Sequence, residues 1–354
     1  MVAYIFTDGC ECSFKAIFSF IPHILSIELE INRRVYLMFL ALLGISIGIG
    51  LAMQTAVNSQ LRKFVESPFE ASMISFIVGT AFLAVAMVFS STPLGIPLDT
   101  IADLPVWIWF GGVFGVIGLT TSILLFAKIG SIQASVMPIL GMIVMGMLID
   151  NFGWFNSLEQ PFTPNRLIGV ILLVIGIFLT VALPAIISRR HNNVTEQVLA
   201  KERSEGQWHW RLLGVGAGML MATQAAVNGQ LGTVLGSPIH AAFVSFFTGA
   251  SILILIVGFK YRSFSSIKKP VEQKAPWWIW SGGLLGGTYI LMNVYLVGQI
   301  GTGPTVILAL FGQLTGSLLV ERFGLLGSNR GEITTLHVLG LVIMLAGIIF
   351  IQLL

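Results

Sequence analysis

Apolar residues run along the chain in stretches of about twenty, set apart by short polar segments. Ten such stretches are read at 38–60, 70–90, 105–127, 132–150, 166–187, 211–232, 239–259, 277–298, 304–321 and 335–354. A bilayer core of about 30 Å takes roughly 20 apolar residues in a helix. Residues 170–179, VILLVIGIFL, lack the polar–apolar alternation of a barrel strand. A helix also satisfies its own backbone groups, as lipid requires. The pattern therefore predicts an all-α polytopic membrane protein with ten transmembrane helices.

The punctuation agrees with these stretches. Trp107, Trp109, Trp277, Trp278 and Trp280 stand at the starts of the third and eighth, where indoles favour the headgroup level. Pro68, Pro105, Pro238, Pro276 and Pro304 fall at or near stretch starts, where the missing amide donor costs little. Pro138 lies inside the fourth and is expected to kink it. Residues 1–37 are interrupted by Pro22, His23, Glu28 and Glu30 and read as an N-terminal extension, with Met38 as an alternative start. Residues 188–210 are polar and mixed in charge, and read as a cytoplasmic linker. The expected division is thus 1–37 extension, 38–187 first transmembrane repeat, 188–210 linker and 211–354 second repeat.

The repeat rests on self-similarity. AMQTAVNSQLR at 52–62 returns as ATQAAVNGQLG at 222–232, an offset of 170. The offset carries Gln54 onto Gln224, Asn58 onto Asn228, Ser75-Phe76 onto Ser245-Phe246 and Gly79 onto Gly249. After the next loop it becomes 171, placing Gly111 on Gly282, Gly115 on Gly286, Gly130 on Gly301, Asp150 on Glu321, Gly169 on Gly340 and Gly176 on Gly347. Each copy holds five stretches, and an odd number inserts the second copy upside down. The expected architecture is two inverted five-helix repeats.

Charge supports the inversion. Only Lys15, Arg33, Arg34 and Arg166 belong to one side; the other side holds the remaining fifteen of nineteen basic residues. Cytoplasmic loops collect Lys and Arg, so both termini are expected outside, in a bacterial-type plasma membrane. The loop around Asp99 and Asp103 is free of Lys and Arg, whereas its counterpart from Lys260 to Lys274 is basic. Such inverted repeats recur in secondary transporters, with the ligand site between the halves near the midplane.

Composition narrows the function classes. The chain of 354 residues is 55% hydrophobic and 10% charged, against roughly 25% charge in soluble domains. Its mean hydropathy is +0.90. That balance excludes a typical cytosolic enzyme, a nucleic-acid binder and a disordered chain. Cys10 and Cys12 have no His or Cys cluster nearby and read as incidental thiols. No metal site, nucleophile–base arrangement, phosphate-cradling loop or ATPase motif is found, so an enzyme is not expected, nor a cofactor.

The ten-span, five-plus-five arrangement resembles the drug/metabolite transporter superfamily. The pattern Gln54-Asn58-Gln60-Leu61 and Gln224-Asn228-Gln230-Leu231, with the following Ser-Pro and Ser-Phe-x-x-Gly, is similar to its YdcZ-type (EamA-like) branch. The resemblance covers about residues 38–354 and implies an exporter of drugs or metabolites. Small multidrug exporters of the superfamily use a Glu in the first helix for proton exchange. This chain has no acidic residue in its first or sixth stretch, which sets it apart from that mechanism.

Candidate residues follow from burial cost. Gln54 and Asn58 share a helix face, as do Gln224 and Asn228. Amides in lipid without partners cost several kcal/mol, so these face protein or a wet cavity. They are expected to line a substrate pathway, with the unrepeated Tyr289, Asn293 and Gln313 orienting the solute; interhelical packing is the competing use. Gln60 and Gln230 are expected to be structural or interfacial. Ser75 and Ser245 are expected to bond back to their own helices. Asp150 and Glu321 are candidate coupling carboxylates, or ordinary interface carboxylates. The repeated pairs Gly44/Gly48, Gly214/Gly218, Gly111/Gly115 and Gly282/Gly286 are expected to pack helices closely, as static contacts or as sliding seams. The function expected is a secondary transporter, an exporter of a small organic metabolite or drug-like solute by alternating access, with the lipid bilayer and a coupling ion as further partners. A non-transporting membrane module for lipid handling or assembly is the alternative.

Overall fold

The computed structural model describes residues 8–93, 95–184, 186–187, 208–262, 264–328, 330 and 332–352; of 8–33, 119–120, 122–124, 126–136, 261, 265–266 and 352 it describes the backbone alone. Cys10 and Cys12 and most of the 188–210 linker therefore lie outside the described residues or side chains. The chain divides into two units, residues 1–43 and 44–354. The first holds the opening part of helix α1 (Asp8–Val65). Everything below concerns the second.

That unit is helical throughout its described elements. After the rest of α1 come α2 (Pro68–Phe89), the short α3 (Leu98–Asp103), α4 (Gly111–Phe152) and α5 (Pro164–Ile177), which continues into a π-turn over Phe178–Ala182. The second half contains α6 (Trp208–Val234), α7 (Pro238–Tyr261), the short α8 (Lys269–Glu272), α9 (Ser281–Ile300), α10 (Thr302–Phe323) and α11 (Thr335–Gln352). The repeat is visible in the helix ends. Ser67 and Ser237 cap α2 and α7, each with Pro at the next position. Gly153 and Gly324 close α4 and α10 in the left-handed conformation that favours glycine after a helix.

Six segments are long and apolar enough to cross a membrane: Arg34–Val65, Pro68–Phe89, Pro164–Ala182, Pro238–Lys260, Trp277–Ile300 and Thr302–Phe323. Met137–Phe152 and Thr335–Ile351 are apolar but shorter. The span expected at 211–232 falls in α6, which is not among the six. α6 is less apolar because small and polar residues, among them Gly214, Ala217, Gly218, Ala222, Ala225 and Asn228, form the face it buries in the protein.

The spans expected at 105–127 and 132–150 share the single helical assignment of α4. A side chain at Gly214 would nevertheless meet both Leu125 and Met137. Twelve residues of straight helix would separate these by about 18 Å. The chain therefore turns back between them. Its first part runs antiparallel to α6, with Gly111 beside Asn228 and Gly115 beside Gln224. Its last part runs parallel to α6, with Met137 beside Gly214, Pro138 beside Gly218 and Gly141 beside Val215.

The mirror arrangement holds on the other side. Along α1, Gln54 meets Gly286 and Asn58 meets Gly282 of the antiparallel α9; Gly44 meets Leu308 and Ile45 meets Gly312 of the parallel α10. Each repeat thus packs its first helix into the third and fourth segments of the other. The fifth helices pair with each other, Gly169 against Gly347 and Gly176 against Gly340.

Loop contacts fall into two sets. Glu66 pairs with Lys269 at 3.0 Å and Gln60 donates to the Gly327 carbonyl at 2.8 Å, joining the segments after α1, before α9 and after α10. At the other end, Trp107 packs on Phe155 and Gln160 donates to the Ile300 carbonyl at 2.8 Å.

Candidate functional site

The amides are seated by glycines of the opposite repeat. A Cβ at Gly115 would stand 2.7 Å from Gln224 Nε2, and one at Gly111 would collide with Asn228 Oδ1. In the mirror position, a Cβ at Gly286 would collide with Gln54 Nε2 and one at Gly282 with Asn58 Oδ1. The geometry explains the spacing. Gly-x-x-x-Gly on one helix and Gln-x-x-x-Asn on an antiparallel neighbour share a four-residue step, so both amides find a missing side chain opposite. The matching four-residue steps are legible in the sequence; that they face each other is not, because the two motifs lie far apart in the chain.

The two seats differ in hydrogen bonding. Asn228 is 1% exposed and its Nδ2 donates to Ser245 Oγ at 3.1 Å. Its counterpart Asn58 is half-buried, and Asn58 Oδ1 and Ser75 Oγ are both buried without a hydrogen-bond partner among the described residues. Neither serine fits the expected back-bonding role: Ser245 serves an amide across to α6, and Ser75 Oγ has no partner among the described residues. Gln54 and Gln224 are half-buried.

Beside the seats lies a second symmetric contact. Phe76 and Phe246 stack on each other, while Phe246 fills the space above Gly79 and Phe76 the space above Gly249. The ring of Phe246 also comes within 3.2 Å of a Cβ position at Gly286, next to Gln54. The amides and the aromatic pair thus form one continuous inter-repeat core.

The unrepeated candidates are not all gathered there. Asn293 is buried in α9 with Nδ2 unpartnered among the described residues. Tyr289, one turn earlier on α9, is half-buried. Gln313 is half-buried on α10, where its backbone nitrogen lies 2.8 Å from a Cβ position at Gly48. Gln60 bonds a loop carbonyl of the other repeat.

The carboxylates part company. Asp150 is 0% exposed and accepts from the backbone N–H of Thr302 at 2.9 Å and of Gly303 at 2.8 Å, and from Ser157 Oγ at 3.3 Å. It caps α10 of the other repeat. Glu321, its counterpart, is exposed. Gly301 makes the cap fit: its φ of +88° and ψ of 172° suit only glycine, and a Cβ there would press on Asp150 Oδ2 at 3.1 Å.

All eight glycines of the repeated pairs abut the other repeat. Gly44 faces Leu308, Gly48 the Ala309 carbonyl, Gly214 Met137 and Gly218 the Pro138 carbonyl; the other four hold the amides. Among the described residues no group of His, Cys, Asp and Glu could hold a metal ion.

The family described as "Putative inner membrane exporter, YdcZ" matches the chain twice, over residues 39–179 and 209–350. A search of curated proteins returned no match. One crystal structure of a protein, 10% identical, superposes over 88% of this chain and 96% of its own with a TM-score of 0.57, a likeness of fold alone.

Proposed function

The chain belongs to the YdcZ family of drug/metabolite transporters, and from that premise we propose a secondary transporter that exports a small organic solute by alternating access. Ten spans in two inverted repeats, both termini outside and the 5–6 and 7–8 loops in the cytoplasm complete the reading. The observation that carries it is the seating of Gln54 and Asn58 on Gly286 and Gly282, and of Gln224 and Asn228 on Gly115 and Gly111. Polar groups sit where the repeats meet, and small residues there let backbones approach. As the repeats rock, each amide leaves its seat and offers donors and acceptors to a passing solute. Asn293 and Tyr289 add polar groups on α9 alone and orient the solute; Gln313 does so from α10. Asp150 and Glu321 are the carboxylates available to a coupling ion.

The non-transporting module gains support from Asn228, whose amide is satisfied inside the protein. Asn58 Oδ1 and Asn293 Nδ2 weigh the other way. Buried polar atoms left unpaired cost about 1–3 kcal/mol each, a cost that a purely static scaffold has no use for. A metabolite and toxicant screen on cells lacking or overproducing the protein identifies the solute. Proteoliposome transport of that solute with Gln54→Ala and Gln224→Ala then tests the path. Loss in either variant supports it; unchanged transport in both removes it.

A further inference from the structure

The two ends of the inter-repeat contact are held by different chemistry. At one end, Asp150 from the last turn of α4 bonds the first two N–H groups of α10. Those groups have no partner within their own helix, and a carboxylate there also meets the positive end of the helix dipole. Ser157 Oγ adds a contact to Thr302 Oγ1 at 3.0 Å, and Gln160 Nε2 reaches the Ile300 carbonyl at 2.8 Å. Gln160 is itself held, since its N–H donates to the Asp150 carbonyl and its carbonyl accepts from an Arg166 guanidinium N–H. Apart from these last two bonds and the Ser157–Asp150 bond, every bond in this group crosses from the first repeat to the second, and Asp150 is its centre.

At the opposite end the cross-repeat bonds are exposed: Gln60 to Gly327 and Glu66 to Lys269. Exposed pairs of this kind hold little. Glu321, at the position equivalent to Asp150, is exposed. The Asn–Ser bond is made at the Asp150 end, between Asn228 and Ser245, and is unmade at the other, where Asn58 Oδ1 and Ser75 Oγ have no partner among the described residues.

We propose that Asp150 is the clasp of one gate: its bonds to Thr302 and Gly303 hold the end bearing the α9–α10 turn closed, and transport requires their release. This rests on the alternating-access reading. In an inverted repeat, opening one end exchanges the conformations of the halves. Release of the clasp therefore goes with breaking of Asn228–Ser245 and making of Asn58–Ser75. By the charge distribution this is the outer gate.

The test needs no solute. In a Cys10→Ser/Cys12→Ser background, which removes both cysteines of the chain, reporter cysteines replace the buried Thr305 on α10 or the buried Ser75 at the other end. A membrane-impermeant maleimide is applied to each face of proteoliposomes in turn. Asp150→Ala should raise labelling of Thr305→Cys about tenfold or more, since charged hydrogen bonds are lost, from the face bearing the α9–α10 turn only. Labelling of Ser75→Cys should stay level or fall. Asp150→Glu, which keeps the charge, should label less than Asp150→Ala. Thr302→Pro removes one donor at a helix position that tolerates proline and should act in the same direction, so the idea stays testable if Asp150→Ala does not fold. Unchanged Thr305→Cys labelling in a monodisperse variant overturns the proposal. An equal rise at both reporters also overturns it, because that marks general loosening. Loss of transport in the amide variants is read in a separate assay, so a failed clasp and a failed solute path are told apart.

Discussion

Phe76 stacks on Phe246, its own counterpart 170 residues further on, with ring centroids 4.9 Å apart and planes inclined by 29°. Two repeat-related rings can meet only near the axis that relates the repeats, so this stack marks the centre of the bundle. Phe246 is 3% exposed and Phe76 half-buried. Phe246→Ala should cost about 3–5 kcal/mol and Phe76→Ala less. A double-mutant cycle should return a coupling of about 0.5–1.5 kcal/mol. Thermal unfolding in detergent reads all three; a cycle with no coupling would show that the stack contributes nothing beyond burial.

The glycine seats should tolerate substitution unequally. Gly111→Ala pushes a methyl against an amide already committed to Ser245. Gly282→Ala pushes one against Asn58 Oδ1, which has no hydrogen-bond partner among the described residues. Gly111→Ala is therefore expected to destabilise more, by about 1 kcal/mol, the net worth of one hydrogen bond. Equal shifts in melting temperature would contradict the difference between the seats.

Close backbone contact at Gly48 and Gly218 leaves no room for a side chain. A Cβ at Gly48 would collide with the Ala309 carbonyl, and one at Gly218 with the Pro138 carbonyl. Gly48→Leu and Gly218→Leu should each abolish transport while the protein still reaches the membrane. Normal transport by either variant would refute a moving seam along α1–α10 or α4–α6.

Orientation follows from the basic loops. An epitope inserted at Lys274 should be protected from external protease in intact cells, and one inserted at Asp99 should be cut. The reverse pattern would turn the protein over and make the Asp150 clasp an inner gate.

Hydrophobic length alone determined that this chain is helical and lives in a bilayer, because lipid leaves few ways to satisfy a backbone. The offset of 170–171 residues showed the duplication, because polar residues and glycines kept step where apolar ones are interchangeable. The sequence also picked out Gln54, Asn58, Gln224 and Asn228 through the cost of placing amides in lipid. What it could not carry was partnership. That each amide sits on a glycine of the other repeat depends on two helices being antiparallel and in register, and neither is written in local spacing. The asymmetry between Asp150 and Glu321, or between Asn228–Ser245 and Asn58–Ser75, is less visible still. Near-identical motifs give near-identical local preferences, and only packing against different neighbours decides which copy is buried and bonded.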